Sequence, residues 1–295
     1  YRLKLVPASS VRAPTTAVTG GSVVGLSIPA GPSRSPAHLL LLGIARPGGE
    51  YPQPGLLIET EVGVDERSYF DNAASAPMSA QLLDAMAPVL TLAGNPNSTH
   101  AAGRRARRLL EEAREEIAAH LGAGPGEVVF TSGGTESNNL AVLGGLGDPT
   151  RPELAISAVE HASVAAVVGR AERVVRLPVD ADGFLLLSQA EALVGAATAL
   201  VSVIWVNNET GVIQPVAAAA EVAHRAGALF HTDAVAALGH VGVDFAASGA
   251  DLMSASAHKI GGPVGIGALV VRRGVRLRPL GFGGGQEARL RSGTV

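Results

Sequence analysis

Hydrophobic and polar positions from Tyr69 onward follow two alternating periods, and the pattern predicts strands that alternate with helices. The clearest helical pattern runs from Ala101 to Leu121 and is followed by Gly122, a typical helix end, and a second covers residues 216–226. Short aliphatic runs predict strands at residues 127–131, 154–158, 173–177, 200–206, 228–231, 252–256 and 266–271. This alternation predicts an α/β fold: a mostly parallel sheet with helices on both faces, which binds ligands beyond the carboxyl ends of its strands.

The first 67 residues differ from the rest of the chain. They hold 8 Pro and 9 Gly, and no acidic residue occurs before Glu50. We interpret residues 1–67 as a disordered or spurious leader, with a targeting peptide as the less favoured alternative, and residues 68–295 as one large domain.

Composition excludes several classes of function. The 23 basic and 26 acidic side chains give a net charge of −3, so we expect no nucleic-acid partner. Apolar runs are too short to cross a bilayer, so we expect a soluble, cytoplasmic protein without a membrane partner. The absence of cysteine excludes disulfides, thiolate metal sites and a cysteine nucleophile within these residues, and we predict no metal site.

Polar side chains follow several predicted strands at their carboxyl ends. Each has an ordinary structural explanation when taken alone: a glycine turn, a solvated lysine, a capping acid. A parallel sheet, however, gathers all of them at one edge. The five residues are Thr135, His161, Asn208, Asp233 and Lys259.

These residues match the requirements of pyridoxal 5'-phosphate (PLP). The Gly133-Gly134 turn precedes a helix that we expect to begin near Glu136, and such a turn can cradle a phosphate. Lys259 is the only lysine after Lys4, and a desolvated lysine forms a Schiff base with an aldehyde. Asp233 would keep the pyridine nitrogen protonated, and a flat side chain would stack on the ring.

The chain resembles the cysteine desulfurases and selenocysteine lyases, the NifS-like group of class V aminotransferase-fold enzymes. The matching blocks occur in order over about three-quarters of the sequence. They are Tyr69-Phe70-Asp71-Asn72-Ala73-Ala74, Gly94-Asn95-Pro96-Asn97-Ser98, Thr131-Ser132-Gly133-Gly134-Thr135-Glu136-Ser137-Asn138-Asn139-Leu140, Glu160-His161, Asn207-Asn208-Glu209-Thr210-Gly211, His231-Thr232-Asp233-Ala234, Ser256-Ala257-His258-Lys259, Gly283-Gly284-Gly285-Gln286-Glu287 and Arg291-Ser292-Gly293-Thr294.

The resemblance implies a large PLP-binding domain of the type I transferase fold over residues 68–295, and a role for each matching residue. Lys259 would carry PLP and move protons, Asp233 would bind the pyridinium nitrogen, and His161 would stack on the ring and shuttle protons. Asn208 would bond the phenolic oxygen, and Thr294 would reach the phosphate of a second subunit, which implies a homodimer. The phosphate would be held by Gly134, Thr135, Ser256 and His258.

The resemblance also implies a reaction: conversion of L-cysteine to L-alanine, with sulfur passing to an enzyme cysteine and then to an acceptor protein. Three departures bear on it. Ala236 replaces a glutamine that bonds the cofactor, Phe282 replaces a histidine, and Val295 precedes the family's cysteine loop and small domain.

We therefore expect the large domain of a cysteine desulfurase, truncated and unable to transfer sulfur by itself. The alternatives are a non-enzymatic remnant, and a PLP lyase or aminotransferase of the same fold that needs no cysteine.

Overall fold

The computed structural model describes residues 68–294 and, nearer the start, the backbone of three short strands: β1 (Lys4–Val6), β2 (Leu39–Leu40) and β3 (Leu57–Glu59). These three pair antiparallel in the order β1-β3-β2. The chain divides into two units, residues 1–70 and 71–295. Apart from the three strands, the proposed leader lies outside the described residues, so its interpretation stays a prediction.

A seven-stranded sheet forms the centre of the second unit. Its strand order is β4-β10-β9-β8-β7-β5-β6, and every neighbouring pair is parallel except the two that involve β10. The expected mostly parallel sheet is therefore confirmed. The strands are β4 (Val128–Thr131), β5 (Glu153–Ser157), β6 (Arg173–Leu177), β7 (Thr198–Ser202), β8 (Leu229–Asp233), β9 (Leu252–Ser256) and β10 (Gly267–Val271).

Helices connect most of these strands. They are α1 (Ala80–Leu90), α2 (Ala101–Leu121), α3 (Gly134–Gly145), α4 (Ala162–Ala165), α5 (Leu187–Leu193), α6 (Val216–Arg225) and α7 (Phe245–Ser248). The predicted bounds of α2 are confirmed, and Gly122 ends the helix in the left-handed conformation at φ 67°. Its N–H donates to the last carbonyls of the helix, which is the usual role of glycine at this position. Within the described residues, none of the helices has the length and apolar character that a bilayer crossing requires.

Successive strand residues point to opposite faces of the sheet and enter two separate cores. Ala155, Val201 and Met253 pack with residues of α5 and α6. Their neighbours Leu154, Leu200 and Leu252 pack with residues of α3 and α4. Helices therefore cover both faces, as the sequence pattern predicts.

Most predicted boundaries lie within two residues of the observed ones, whereas the predicted end of β7 is four residues too late. Helix α3 begins two residues before Glu136, because Gly133 is its N-cap and accepts the first helical hydrogen bond, from Ser137 N at 3.1 Å. Strand β7 ends at Ser202 instead of continuing to residue 206. Beyond it Val203 N and Trp205 N still donate to the carbonyls of His231 and Asp233 in β8, but the chain then turns back, with Val206 bridging Ile213, so the regular strand is not extended.

Candidate active site

A cleft of about 500 Å³ opens at the carboxyl ends of β4, β8 and β9. It gathers residues from turns that are far apart in sequence, as expected for a parallel sheet. All but one of the sequence-predicted site residues line it: Gly134, Thr135, His161, Asn208, Asp233, Ser256, His258 and Lys259. Thr294 is the exception; it is exposed and is not among the residues that line the cleft.

The turn between β4 and α3 brings bare backbone to the cleft. Gly133 has φ 151°, a conformation that residues with a side chain rarely adopt. A Cβ atom on Gly134 would lie 2.7 Å from Cγ2 of Val235, so only glycine fits between the turn and that side chain. The first N–H groups of a helix have no intrahelical acceptor and carry the positive end of its dipole. The turn can therefore bind an anion such as a phosphate.

Asp233 ends β8 as a buried acid. Its carboxylate accepts from Asn138 Nδ2 at 2.6 Å and from Val235 N at 2.9 Å. Burial raises the pKa of Asp233, while these two hydrogen bonds and the charges of nearby His161 and Lys259 oppose that change. Among the described residues, none of the cationic side chains lies close enough to form a direct ion pair with it. A protonated ring nitrogen in the cleft would add a positive charge directly against this carboxylate, which is the structural observation that fits PLP.

Lys259 lies just beyond β9, in a short 3-10 helix formed by Ala257–Ile260. Its Nζ donates to the carbonyl of Ala73, and the carbonyl of His258 accepts from Ala76 N at 2.8 Å. These bonds tie the chain near residue 75 to the cleft. Burial lowers the pKa of His258, and the nearby charge of Lys259 lowers it further.

His161 is the N-cap of α4. Its Nδ1 accepts from Ser163 N at 3.1 Å and lies 2.7 Å from Ser163 Oγ. Ser163 Oγ in turn accepts from Asn138 Nδ2 at 2.8 Å. Sequence reasoning assigned no role to Asn138 or Ser163, because nothing in the sequence shows that these two residues meet, or that Asn138 meets Asp233.

A second buried network lies beside the cleft. Glu160 accepts from Ile204 N at 2.7 Å and from the hydroxyls of Ser157 and Ser202. Ser202 Oγ lies 2.8 Å from Nδ1 of His231. Burial raises the pKa of Glu160 to about 7, and the charge of nearby Asp233 contributes. Burial lowers the pKa of His231 to about 3, so this histidine is neutral at ordinary pH.

The remaining predicted residues occupy the rim and floor. Asn208 is partly exposed and donates from Nδ2 to Glu209 at 2.8 Å, whereas Ser256 is buried at the end of β9. Ala236 lines the cleft without offering a hydrogen-bond donor. Phe282 is exposed, and the described cleft lining does not include it.

Comparison with known proteins identifies the family. The family model described as aminotransferase class-V matches residues 68–294, which is most of the chain. The chain belongs to this family. Enzymes of the class work with PLP, and the match covers every residue that lines the cleft.

Individual relatives carry more specific names. A cysteine desulfurase of Cereibacter sphaeroides is 46% identical over 237 residues, which are 78% of this chain and 61% of that protein. A solved structure named NifS-like protein matches with a TM-score of 0.75 and 37% identity, over 78% of this chain and 65% of that one. A second, named SspA in complex with cysteine, matches with a TM-score of 0.74 and 38% identity, over 78% of this chain and 69% of that one. This chain thus spans about three-fifths of the length of the curated relatives it matches first.

Proposed function

We propose that this chain is the PLP-binding large domain of a cysteine desulfurase and that Lys259 holds the cofactor covalently. One observation carries the proposal: a single cleft brings together a lysine, a buried acid, a histidine and a glycine turn at a helix start. Bound PLP withdraws electrons from the Cα of an amino-acid substrate. The protein's part is to bind and orient the cofactor and to move protons.

The proposal gives a role to each of the sequence-predicted residues that line the cleft. Asp233 would balance the charge of the ring nitrogen, His161 would stack on the ring, and Asn208 would donate to the phenolic oxygen. The phosphate would lie against the turn and the end of β9, held by Gly134, Thr135, Ser256 and His258. Lys259, released from the Ala73 carbonyl, would reach the aldehyde carbon.

L-cysteine is the proposed substrate. Support comes from the names of the relatives and from the neighbour whose title states that it binds cysteine. The 295 residues contain no cysteine, so sulfur transfer through a protein thiol requires a thiol from outside them. The remnant and the cysteine-independent lyase have no specific observation in their favour.

The proposal also includes a homodimer and a sulfur-acceptor protein. Thr294 is exposed, as a residue that reaches a second subunit would be in a single chain. Helix α1 supports an interface, because none of its residues is buried although its sequence is mostly apolar. Sedimentation of the PLP-loaded protein tests the dimer. The cytoplasmic location stays a prediction.

Borohydride trapping tests the cofactor assignment. The purified chain is incubated with PLP, reduced, digested and analysed by mass spectrometry; we expect the label on Lys259. Lys259→Ala should remove all label from residues 68–294, because Lys259 is the only lysine among them. Lys4→Ala is the matched control and should be labelled within residues 68–294 like the unaltered chain. A label within residues 68–294 that persists in Lys259→Ala, or no label on Lys259 in the unaltered chain, refutes the assignment.

A further inference from the structure

A line of hydrogen bonds connects the two side chains that the proposed function places against the PLP ring. It runs from Asp233 Oδ2 to Asn138 Nδ2 (2.6 Å), on to Ser163 Oγ (2.8 Å) and then to His161 Nδ1 (2.7 Å). Asn138, Ser163 and Asp233 are buried, and all four line the cleft. The line joins β8, α3 and the start of α4.

The chemistry of the groups fixes the direction of every bond. A carboxylate only accepts, so Asn138 Nδ2 donates one of its N–H groups to Asp233 and the other to Ser163 Oγ. The hydroxyl proton of Ser163 is then left for His161 Nδ1. The backbone N–H of Ser163 also points to Nδ1, at 3.1 Å. A ring nitrogen that accepts twice carries no proton, so the proton of the neutral ring lies on Nε2.

Asn138 holds this orientation although it leaves a polar atom unpaired. Its Oδ1 is buried, and no hydrogen-bond partner lies within reach among the described residues. Turning the amide over would pair neither end better, because Oδ1 would then face the carboxylate of Asp233. The contact with Asp233 therefore determines which end of the amide faces Ser163.

We propose that Asn138 and Ser163 are positioning residues of this site, which orient the Asp233 carboxylate and hold His161 as its Nε2–H tautomer. The proposal rests on the proposed function for its purpose, since both ends of the line belong to the PLP site. Asn138 keeps an acceptor aimed at the ring nitrogen. Ser163 keeps Nδ1 occupied, so that Nε2 is the histidine nitrogen that carries the exchangeable proton.

Nitrogen NMR of the cofactor-free protein tests the tautomer directly. In the unaltered chain with 15N-labelled histidine, we expect His161 to have an unprotonated Nδ1 and a protonated Nε2; the signals are assigned by their loss in His161→Gln. Ser163→Ala keeps the backbone N–H that donates to Nδ1 but loses the hydroxyl, so the preference for the Nε2–H tautomer should weaken; Ser163→Thr, which keeps both donors, should restore it. Ser254→Ala is the matched control, because Ser254 Oγ contacts a different histidine, His231, at 3.0 Å.

The unaltered chain alone can overturn the proposal, even if a variant folds poorly: a proton on Nδ1 of His161 would contradict it. An unchanged tautomer in a folded Ser163→Ala would also do so. For the other half of the line, carbon NMR of the Asp233 carboxyl should show a higher pKa in Asn138→Ala, because the carboxylate loses a donor. No rise would refute the role of Asn138.

A readout with PLP separates positioning from mere structural support. In the loaded protein, Ser163→Ala should shift the pH at which the absorbance of the bound cofactor changes, and Ser163→Thr should reverse the shift. An unchanged pH in Ser163→Ala removes the link to the site. Labelling of Lys259 is an independent result: a labelled lysine with the wrong tautomer refutes only the positioning residues, and the expected tautomer without label refutes only the PLP assignment.

Discussion

Two neighbouring residues near the end of the described chain hold a strained backbone conformation. Ala288 and Arg289 have φ values of 50° and 60°, the left-handed region in which a side chain costs roughly 1–2 kcal/mol. They form the turn of a short loop in which Glu287 bridges Arg291. The loop is anchored by Glu287, which is buried and bonded to both terminal nitrogens of Arg114 at 2.8 Å. The strain is therefore held in place by a buried ion pair.

Arg289→Gly should relieve this strain. Glycine adopts this conformation without strain, which stabilises the fold, but it also makes the unfolded chain more flexible, which opposes the gain. We therefore expect a net rise of about 0.5–1 kcal/mol in the free energy of unfolding, measured by urea denaturation. Arg276→Gly is the matched control at an exposed position with ordinary φ, where glycine should destabilise. A loss of stability in Arg289→Gly would contradict the assignment of strain.

At the scale of elements, helix α2 shows how a glycine fixes the junction with a distant helix. Gly122 has φ 67°, and a Cβ atom there would lie 2.6 Å from Oδ1 of Asp244. The same Oδ1 accepts from Ala247 N at 2.9 Å and caps α7. The glycine thus serves both its own helix end and the start of α7.

Gly122→Ala should lower the free energy of unfolding by about 2–3 kcal/mol, the sum of the left-handed penalty and the disturbed cap of α7. Thermal or urea unfolding followed by circular dichroism checks the value. Gly126→Ala is the matched control, since its φ is ordinary and a Cβ atom would meet nothing within 4 Å. Equal effects of the two substitutions would show that the close approach to Asp244 has no energetic weight.

The elements differ in how far the sequence predicts them, and the difference is physical. Helix α2 is predicted to the residue because its apolar stripe and Gly122 are both local features. The end of β7 is not predicted, because residues 203–206 are as apolar as a strand and two of their N–H groups still donate to β8. The chain leaves the sheet only where Val206 bridges Ile213, a contact that the apolar pattern does not reveal. The cleft residues could be predicted because strand ends converge in a parallel sheet. The contacts of Asn138 could not be predicted, since its partners Ser163 and Asp233 lie 25 and 95 residues further along the chain.

Across the whole molecule, the sheet buries a polar network that passes through its middle strands. It runs from Glu160 through Ser202 and His231 to Ser254, and thus spans β7, β8 and β9 next to the cleft. His231 is neutral there, so Glu160 is the member of this network whose charge changes near neutral pH. The stability of the fold should therefore depend on pH in part through this carboxyl.

The sign of the dependence follows from the direction of the pKa shift. Burial raises the pKa of Glu160 from 4.5 to about 7, so between these values the folded chain binds more protons than the unfolded chain. The contribution of Glu160 to stability is therefore full below pH 4.5 and is lost as pH rises through about 7. Glu160→Gln keeps acceptors for Ile204 N and Ser157, lets the amide donate to Ser202, and cannot titrate.

Relative to the unaltered chain, Glu160→Gln should gain on the order of 2–3 kcal/mol in unfolding free energy between pH 5 and pH 8. Urea denaturation of both proteins at the two pH values gives the difference between their free energies of unfolding at each pH. The change in that difference from pH 5 to pH 8 contains no pH-independent effect of the substitution. Glu172→Gln, at an exposed surface position, is the matched control and should leave the difference flat. If Glu160→Gln behaves like this control, the carboxyl is already charged at pH 5, and the three donors around it outweigh its burial.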